Sequence, residues 1–283
     1  MEILNKKLLI LPIFLCLLTS CIGELDFTGF IRSTDRIEDR YEKSMKWNET
    51  NPFKVIDVLQ DNYQLLISSD LHIGKTKNYE LFLERGLKPD ITAMVFIGDI
   101  VTGKEEDYDS FNDLLPDFNI KPYFAITGNH ELYFDGWKHF YRLFGSSIFY
   151  FSVKTPNEED LYICLDSGSG TLGKSQMKWL KNLLESERNK YNNCVVFTHD
   201  NFFRDRNTES TNPPVNELLI LVDLFEQYKV NMVIMGHDHK RAFNQLGNTE
   251  YIILDALRTD NPNASYMILK RTNLGYKHEF VKI

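Results

Sequence analysis

The sequence predicts an α/β fold in which strands and helices alternate along most of the chain and closing hairpins complete a second sheet. Three observations carry this. Apolar runs such as Gln64-Leu65-Leu66-Ile67-Ser68 end in turn residues, the pattern of strands covered on both faces. The stretches between them have helical spacing, clearest at 175–187, where Met177, Leu180, Leu183 and Leu184 form one stripe. The last segments alternate and meet at Leu246-Gly247-Asn248 and Asn273-Leu274-Gly275, as hairpins do.

Taken in order, residues 1–20 stand apart. Lys6 and Lys7 precede an apolar run over 8–18, the layout of a signal peptide and too short for a spanning helix. Leu18-Thr19-Ser20-Cys21 resembles the lipobox of bacterial lipoproteins, whose cysteine is lipidated and becomes the new N-terminus; a plain secretory signal is the alternative. A lipid on Cys21 would anchor the protein to a membrane of the bacterial cell envelope, on the periplasmic side or the outer surface. Residues 21–50 read as a tether and one amphipathic helix, capped by Ser33 or Thr34. Ile37, Tyr41 and Met45 recur four apart there, the mark of a helix laid on a domain surface.

Residues 51–283 form the domain. Strands are expected at 64–68, 91–97, 122–126, 147–153, 161–165, 195–198 and 232–235. Helices are expected at 79–87, 108–115, 175–187 and 215–227, and alternating strands at 251–254, 266–270 and 277–281 close the chain.

Of 283 residues, 43% are hydrophobic and 25% charged, which excludes low-complexity disorder. The formal net charge of -8 and the lack of a basic stripe argue against nucleic acid as a partner and for a small ligand. Of the 4 cysteines, Cys16 leaves with the signal and Cys21 takes the lipid. Cys164 and Cys194 lie in strand-like runs and read as buried thiols rather than a disulfide.

The chemistry lies in the histidines. Five of the 7 fall in short clusters after expected strands: Asp70-Leu71-His72, Gly128-Asn129-His130-Glu131, His199, and Gly236-His237-Asp238-His239. Gly98-Asp99 adds a carboxylate at the end of its own strand. The carboxyl ends of parallel strands share one rim, where ligands bind. In an extended chain Asp70 and His72, like His237 and His239, would lie on one face and converge. Imidazoles with carboxylates and an amide oxygen suit Zn, Fe or Mn. Eight such groups are too many for one tetrahedral ion and fit two. His139 and His278 belong to no cluster and read as ordinary surface or core residues.

In this order the clusters resemble the calcineurin-like metallophosphoesterases over about residues 63–240. Leu165-Asp166-Ser167 with Gly173, Gln176, Trp179 and Leu180 looks like the branch holding purple acid phosphatases and class III cyclic nucleotide phosphodiesterases. The resemblance implies a four-layer sandwich, two mixed β-sheets flanked by α-helices. It implies two divalent or mixed-valence ions, one held by Asp70, His72 and His239, the other by Asn129, His199 and His237, with Asp99 bridging. It further implies hydrolysis of phosphate mono- or diesters by a hydroxide bridging the ions, with His130 unliganded beside the substrate. One departure is His199-Asp200, where many members carry His-His; only the first is normally a ligand.

Three other readings fit the residues less well. Gly98-Asp99-Ile100-Val101-Thr102-Gly103-Lys104 nearly spells a phosphate-binding loop, but Glu105 stands where a Ser or Thr must reach Mg, and its charge repels phosphate. A nuclease lacks its basic stripe. A non-catalytic, metal-stabilised surface module has no use for an unliganded His130. Specificity is expected in 132–137 and 201–212, where Phe202, Phe203, Arg204 and Arg206 could stack a ring or clamp a phosphate.

Overall fold

The computed structural model describes residues 34–204 and 213–283. The expected signal segment, Cys21 and Arg206 lie outside the described residues. Among the described residues twelve strands form two mixed sheets. In the five-stranded sheet, β2 (Tyr63–Ser68), β3 (Ala93–Ile97) and β4 (Tyr123–Ile126) run parallel, and the hairpin of β11 (Ser265–Thr272) and β12 (Gly275–Lys282) joins antiparallel through β11 to β2. The seven-stranded sheet contains β1 (Lys54–Asp57), β5 (Phe149–Lys154), β6 (Glu159–Cys164), β7 (Asn193–Phe197), β8 (Met232–Met235), β9 (Ala242–Leu246) and β10 (Thr249–Ile253). Its order is β1-β5-β6-β7-β8-β10-β9. The tail therefore does not build one sheet alone: β9–β10 extends the seven-stranded sheet and β11–β12 the other.

Side chains alternate across each strand, and both faces of the central strands are apolar, which is why those strands read as continuous runs. Leu65, Ile67, Val95 and Ile97 face the second sheet with Tyr162, Val195 and Ile234. Leu66, Met94 and Phe96 face outward, in an apolar cluster with Tyr79, Phe82, Tyr108, Phe111 and Phe140. Those last five residues come from α2 (Lys77–Gly86), α3 (Glu105–Leu114) and α4 (Trp137–Phe144). On the other side, α5 (Gly173–Glu187) and α6 (Val215–Gln227) give Leu180, Leu184, Leu221 and Phe225 to the cluster that holds Ile163, Val196 and Val233. Helices, sheet, sheet, helices make four layers. Cys164 faces the inter-sheet core and Cys194 the outer cluster, so the two buried thiols lie on opposite faces and stay free.

The first described helix, α1 (Ile37–Thr50), begins later than Ser33 or Thr34 would set it. Arg36 is its N-cap residue, the Asp39 carboxylate accepts from the Arg36 N–H at 3.0 Å, and Thr34 donates to Asp135 at 2.8 Å. Ile37, Tyr41 and Met45 are only half-buried, whereas Arg40 and Ser44 are fully buried. A polar side of this helix is its anchor. The Arg40 guanidinium donates to both oxygens of Asp166, at 2.8 and 2.9 Å. Among the described residues no helix is long and apolar enough to cross a membrane.

Candidate metal centre

The candidate ligands follow the carboxyl ends of β2, β3 and β4 in one sheet and of β7 and β8 in the other, so the centre straddles both sheets. The convergence does not come from extended geometry. Asp70, His72, Asp99, His237 and His239 have φ of 54°, 44°, 49°, 75° and 56°, in the left-handed region that side chains normally avoid. Such backbone costs about 1–3 kcal/mol per residue and persists where surroundings over-determine it. Here they do. The Asp70 and His72 N–H groups donate to the carbonyls of Gly98 and Asp99 at 3.1 and 3.0 Å, and the His237 N–H donates to Asp70 Oδ2 at 3.0 Å. Gly128 allows a close approach, since a Cβ there would strike the Asp99 carboxylate.

Two groups of potential ligand atoms result, Asp70, His72, Asp99 and His239, and then Asp99, His199 and His237, each within 4.8 Å. Asp99 belongs to both. Its Oδ2 lies 3.8 Å from His72 Nε2 and 3.3 Å from His199 Nε2. Asp70 Oδ1 lies 3.3 Å from His239 Nε2, which is 3.0 Å from His72 Nε2. At Asp70, His72 and His237 protonation suits cation binding, which needs carboxylates ionised and imidazoles neutral. Burial raises the Asp70 carboxyl, but the nearby His239 and His199 outweigh it and bring its pKa to about 2. Burial lowers His72 and His237 to about 3. His199 goes the other way: burial lowers it, and the Asp99 and Asp70 carboxylates outweigh that and raise it well above its ordinary value.

The donor set fits metal ions. Asn129 Oδ1 and His199 Nε2 are buried and have no hydrogen-bond partner among the described residues, which is costly unless something else satisfies them. Their outward-facing atoms are held. Asn129 Nδ2 donates to the Tyr133 hydroxyl at 3.1 Å, and His199 Nδ1 lies 2.9 Å from the Ile97 carbonyl, which holds a proton on Nδ1 and turns Nε2 toward the centre.

A family model described as calcineurin-like phosphoesterase matches residues 63–241, more than half of the chain. The chain belongs to that family. As a calcineurin-like phosphoesterase it is a hydrolase acting on phosphoester bonds. No curated relative matches it. Solved structures similar to it include a dimetal phosphatase from Danio rerio, with a TM-score of 0.57 at 12% identity over 78% of this chain and 98% of that one. The Plasmodium inner-membrane-complex anchor GAP50 has a TM-score of 0.57 at 11% identity, over 79% of this chain and 85% of its own. A putative 5'-nucleotidase from Staphylococcus aureus has a TM-score of 0.52 at 14% identity, over 78% of this chain and 54% of that one. At these identities the likeness is one of fold.

In this phosphoesterase His130 opens a 3-10 turn rather than ending a strand. Its Nε2 stands 3.9 Å from Asp99 Oδ2, its ring packs 4.4 Å from His72, and it stays partly exposed. Three supporting residues carried no assigned role in the sequence. Glu131, fully buried, accepts from the N–H groups of Asp99, Ile100, Gly128 and Val101 at 2.8, 2.8, 2.7 and 3.1 Å, tying the loops after β3 and β4 together. Burial and the Asp99 charge push its pKa up to about 8. Ser167 Oγ accepts from the His199 and Asp200 N–H groups at 3.0 and 2.9 Å, and Gln176 hydrogen-bonds both the N–H and the carbonyl of Asp166. The clue lay in their positions: Glu131 two residues after Asn129, Ser167 next to Asp166 and Gln176 three residues after Gly173.

Among the expected specificity residues, Phe202 is a correction. It is 7% exposed and packs in the apolar cluster behind the seven-stranded sheet, so it cannot stack a ligand. Phe203 is 37% exposed, and the Arg204 guanidinium contacts His237 Nε2 while its Nε lies 3.1 Å from Asp238. His139 pairs with Glu105 at 3.3 Å and His278 stacks on Phe243, both away from the centre.

Proposed function

We propose that this phosphoesterase hydrolyses phosphate mono- or diesters at a two-metal centre. One ion would be held by Asp70, His72 and His239, the other by Asn129, His199 and His237, with Asp99 shared. The observation that carries this reading is the single Asp99 carboxylate within reach of both histidine groups. Two Fe, Mn or Zn ions, when bound, would supply positive charge for the phosphoryl oxygens and acidify a water. The chain's own residues do the rest. Asp70 and Asp99 hold the local charge, Glu131 fixes the two loops, and His130 is placed to donate a proton to the departing ester oxygen. The Asp166-Ser167 segment that holds His199, with Gln176, supports the purple acid phosphatase and cyclic nucleotide phosphodiesterase branch.

Release of nitrophenolate from 4-nitrophenyl phosphate and bis(4-nitrophenyl) phosphate by Mn-loaded protein, abolished by chelator, tests this. Metal binding without turnover of either ester would favour a non-catalytic module, a role that fits the neighbour named an anchor.

The proposal extends to location: a lipid on Cys21 anchors the protein outside the cytoplasm. Cys21→Ser should leave an unprocessed, unlipidated precursor. Intact mass and detergent partitioning measure this, and an unchanged mature mass would refute the anchor.

A further inference from the structure

A cavity of about 480 Å³ opens beside the metal centre, where the loop after β8 enters β9 at the edge of the seven-stranded sheet. That size suits a small organic group. Its wall is shared with the centre: Arg204 lines it and contacts Nε2 of His237, and Asp238 lines it from between His237 and His239. Among the described residues three cations line it, Arg204, Lys240 and Arg241; Arg204 pairs with Asp238 and Arg241 with Asp255, which leaves a net charge of about +1 at Lys240. This is a local positive surface on a chain of net charge -8. The Arg241 guanidinium is fixed in place. Its Nε and one terminal nitrogen donate to Asp255 Oδ2 at 3.1 and 2.8 Å, its N–H donates to Oδ1 at 2.9 Å, and its face lies 4.0 Å over the Phe280 ring. Phe203 adds an exposed ring braced edge-on against Tyr251 at 5.2 Å. Cations beside an aromatic ring select a planar, negatively charged group.

The two ends of the centre differ. His130 packs on His72, a member of the first ligand group, whereas Arg204 contacts His237, a member of the second. A monoester has one organic group and can occupy one end; a diester has two. We infer that the substrate is a phosphodiester lying across the centre, its leaving alcohol toward His130 and its retained group, planar and anionic, in the Arg204–Lys240 cavity. This rests on the phosphoesterase reading above. In the reaction a water oxygen bonds to phosphorus and the bond to the leaving alcohol breaks. That alcohol's oxygen takes up the proton, and a monoester remains in the cavity.

The test uses two diesters with one leaving group: 4-nitrophenyl 3-carboxyphenyl phosphate and 4-nitrophenyl phenyl phosphate. The wild type should prefer the first in kcat/KM. Lys240→Glu, on an exposed side chain, should cut that preference about tenfold, since one surface attraction is lost and one repulsion gained. Phe203→Ala should lower kcat/KM for both diesters relative to 4-nitrophenyl phosphate. In parallel, calorimetry measures binding of the retained product, 3-carboxyphenyl phosphate, against phenyl phosphate. A carboxylate preference in binding that Lys240→Glu removes, without turnover of any ester, would uphold the cavity and overturn the hydrolase. A preference unchanged by Lys240→Glu in both turnover and binding would overturn the cavity whatever the enzyme does.

Discussion

Replacing Arg40 by methionine should destabilise the protein by about 3–5 kcal/mol, the usual result of removing one partner from a buried ion pair. The structure gives the same size independently. Arg40 and Asp166 are both 0% exposed and joined by two charge-assisted hydrogen bonds, at 2.8 and 2.9 Å, each worth about 1.5–3 kcal/mol. The variant would leave Asp166 buried with the Ser147 hydroxyl at 2.8 Å, the Gly168 N–H at 3.2 Å and the neighbouring Thr127 hydroxyl, and no opposite charge from Arg40. Methionine keeps most of the apolar stem, so lost packing adds little. Urea unfolding at pH 7 measures the change through midpoint and slope. The pH dependence has a definite sign. Burial raises the Asp166 carboxyl and Arg40 with its hydrogen bonds more than reverses this, so its folded pKa lies below 3.8. The stabilisation is therefore complete above the unfolded value and is lost as pH falls through the folded one. In Arg40→Met, burial acts unopposed, Asp166 protonates more readily, and the gap to wild type should narrow from pH 7 to pH 4. A loss under about 1 kcal/mol, or a gap that widens on acidification, would refute the reasoning.

Two further changes probe the centre's supports. Glu131→Gln gives an amide with one accepting oxygen for four N–H donors. Two donors are then unmet, at about 1–3 kcal/mol each. Metal affinity should fall about 10–100-fold in equilibrium titrations, and unchanged affinity would show that the loops hold without it. His130→Ala should keep both metals and slow alkyl esters by about 10²–10⁴-fold, with a far smaller loss on nitrophenyl esters, whose leaving group needs no proton. Equal losses would assign His130 to charge stabilisation, and a lost metal would make it a ligand.

Much of this architecture was legible because it is written in period and punctuation. Strands buried on both faces gave unbroken apolar runs, and each ligand cluster followed one of them. What escaped was set by distant partners. The edge strand β1, Lys54–Asp57, has a largely exposed pattern and pairs only through β5, so no local signal marks it. The helix α4, Trp137–Phe144, begins at the end of a 3-10 turn with no side-chain cap. In α1 the expected apolar stripe is half-buried, because Arg40 is drawn inward by Asp166, 126 positions along the chain. At the centre the ligand types were readable, but their convergence was derived from extended backbone, and the five left-handed residues show that hydrogen bonds between β-end loops impose it instead. Phe202 looked available because aromatic and cationic neighbours surround it; only the fold shows it turned into the core.

The central claim is that one carboxylate serves two ions, and metal analysis of purified Asp99→Asn beside Asn129→Ala and wild type tests it most directly. Asparagine keeps the shape of Asp99 while removing its charge and one anionic oxygen. The account predicts about two metals per chain in wild type, loss of both together in Asp99→Asn, and loss of mainly one in Asn129→Ala. Two fully retained metals in Asp99→Asn would contradict it.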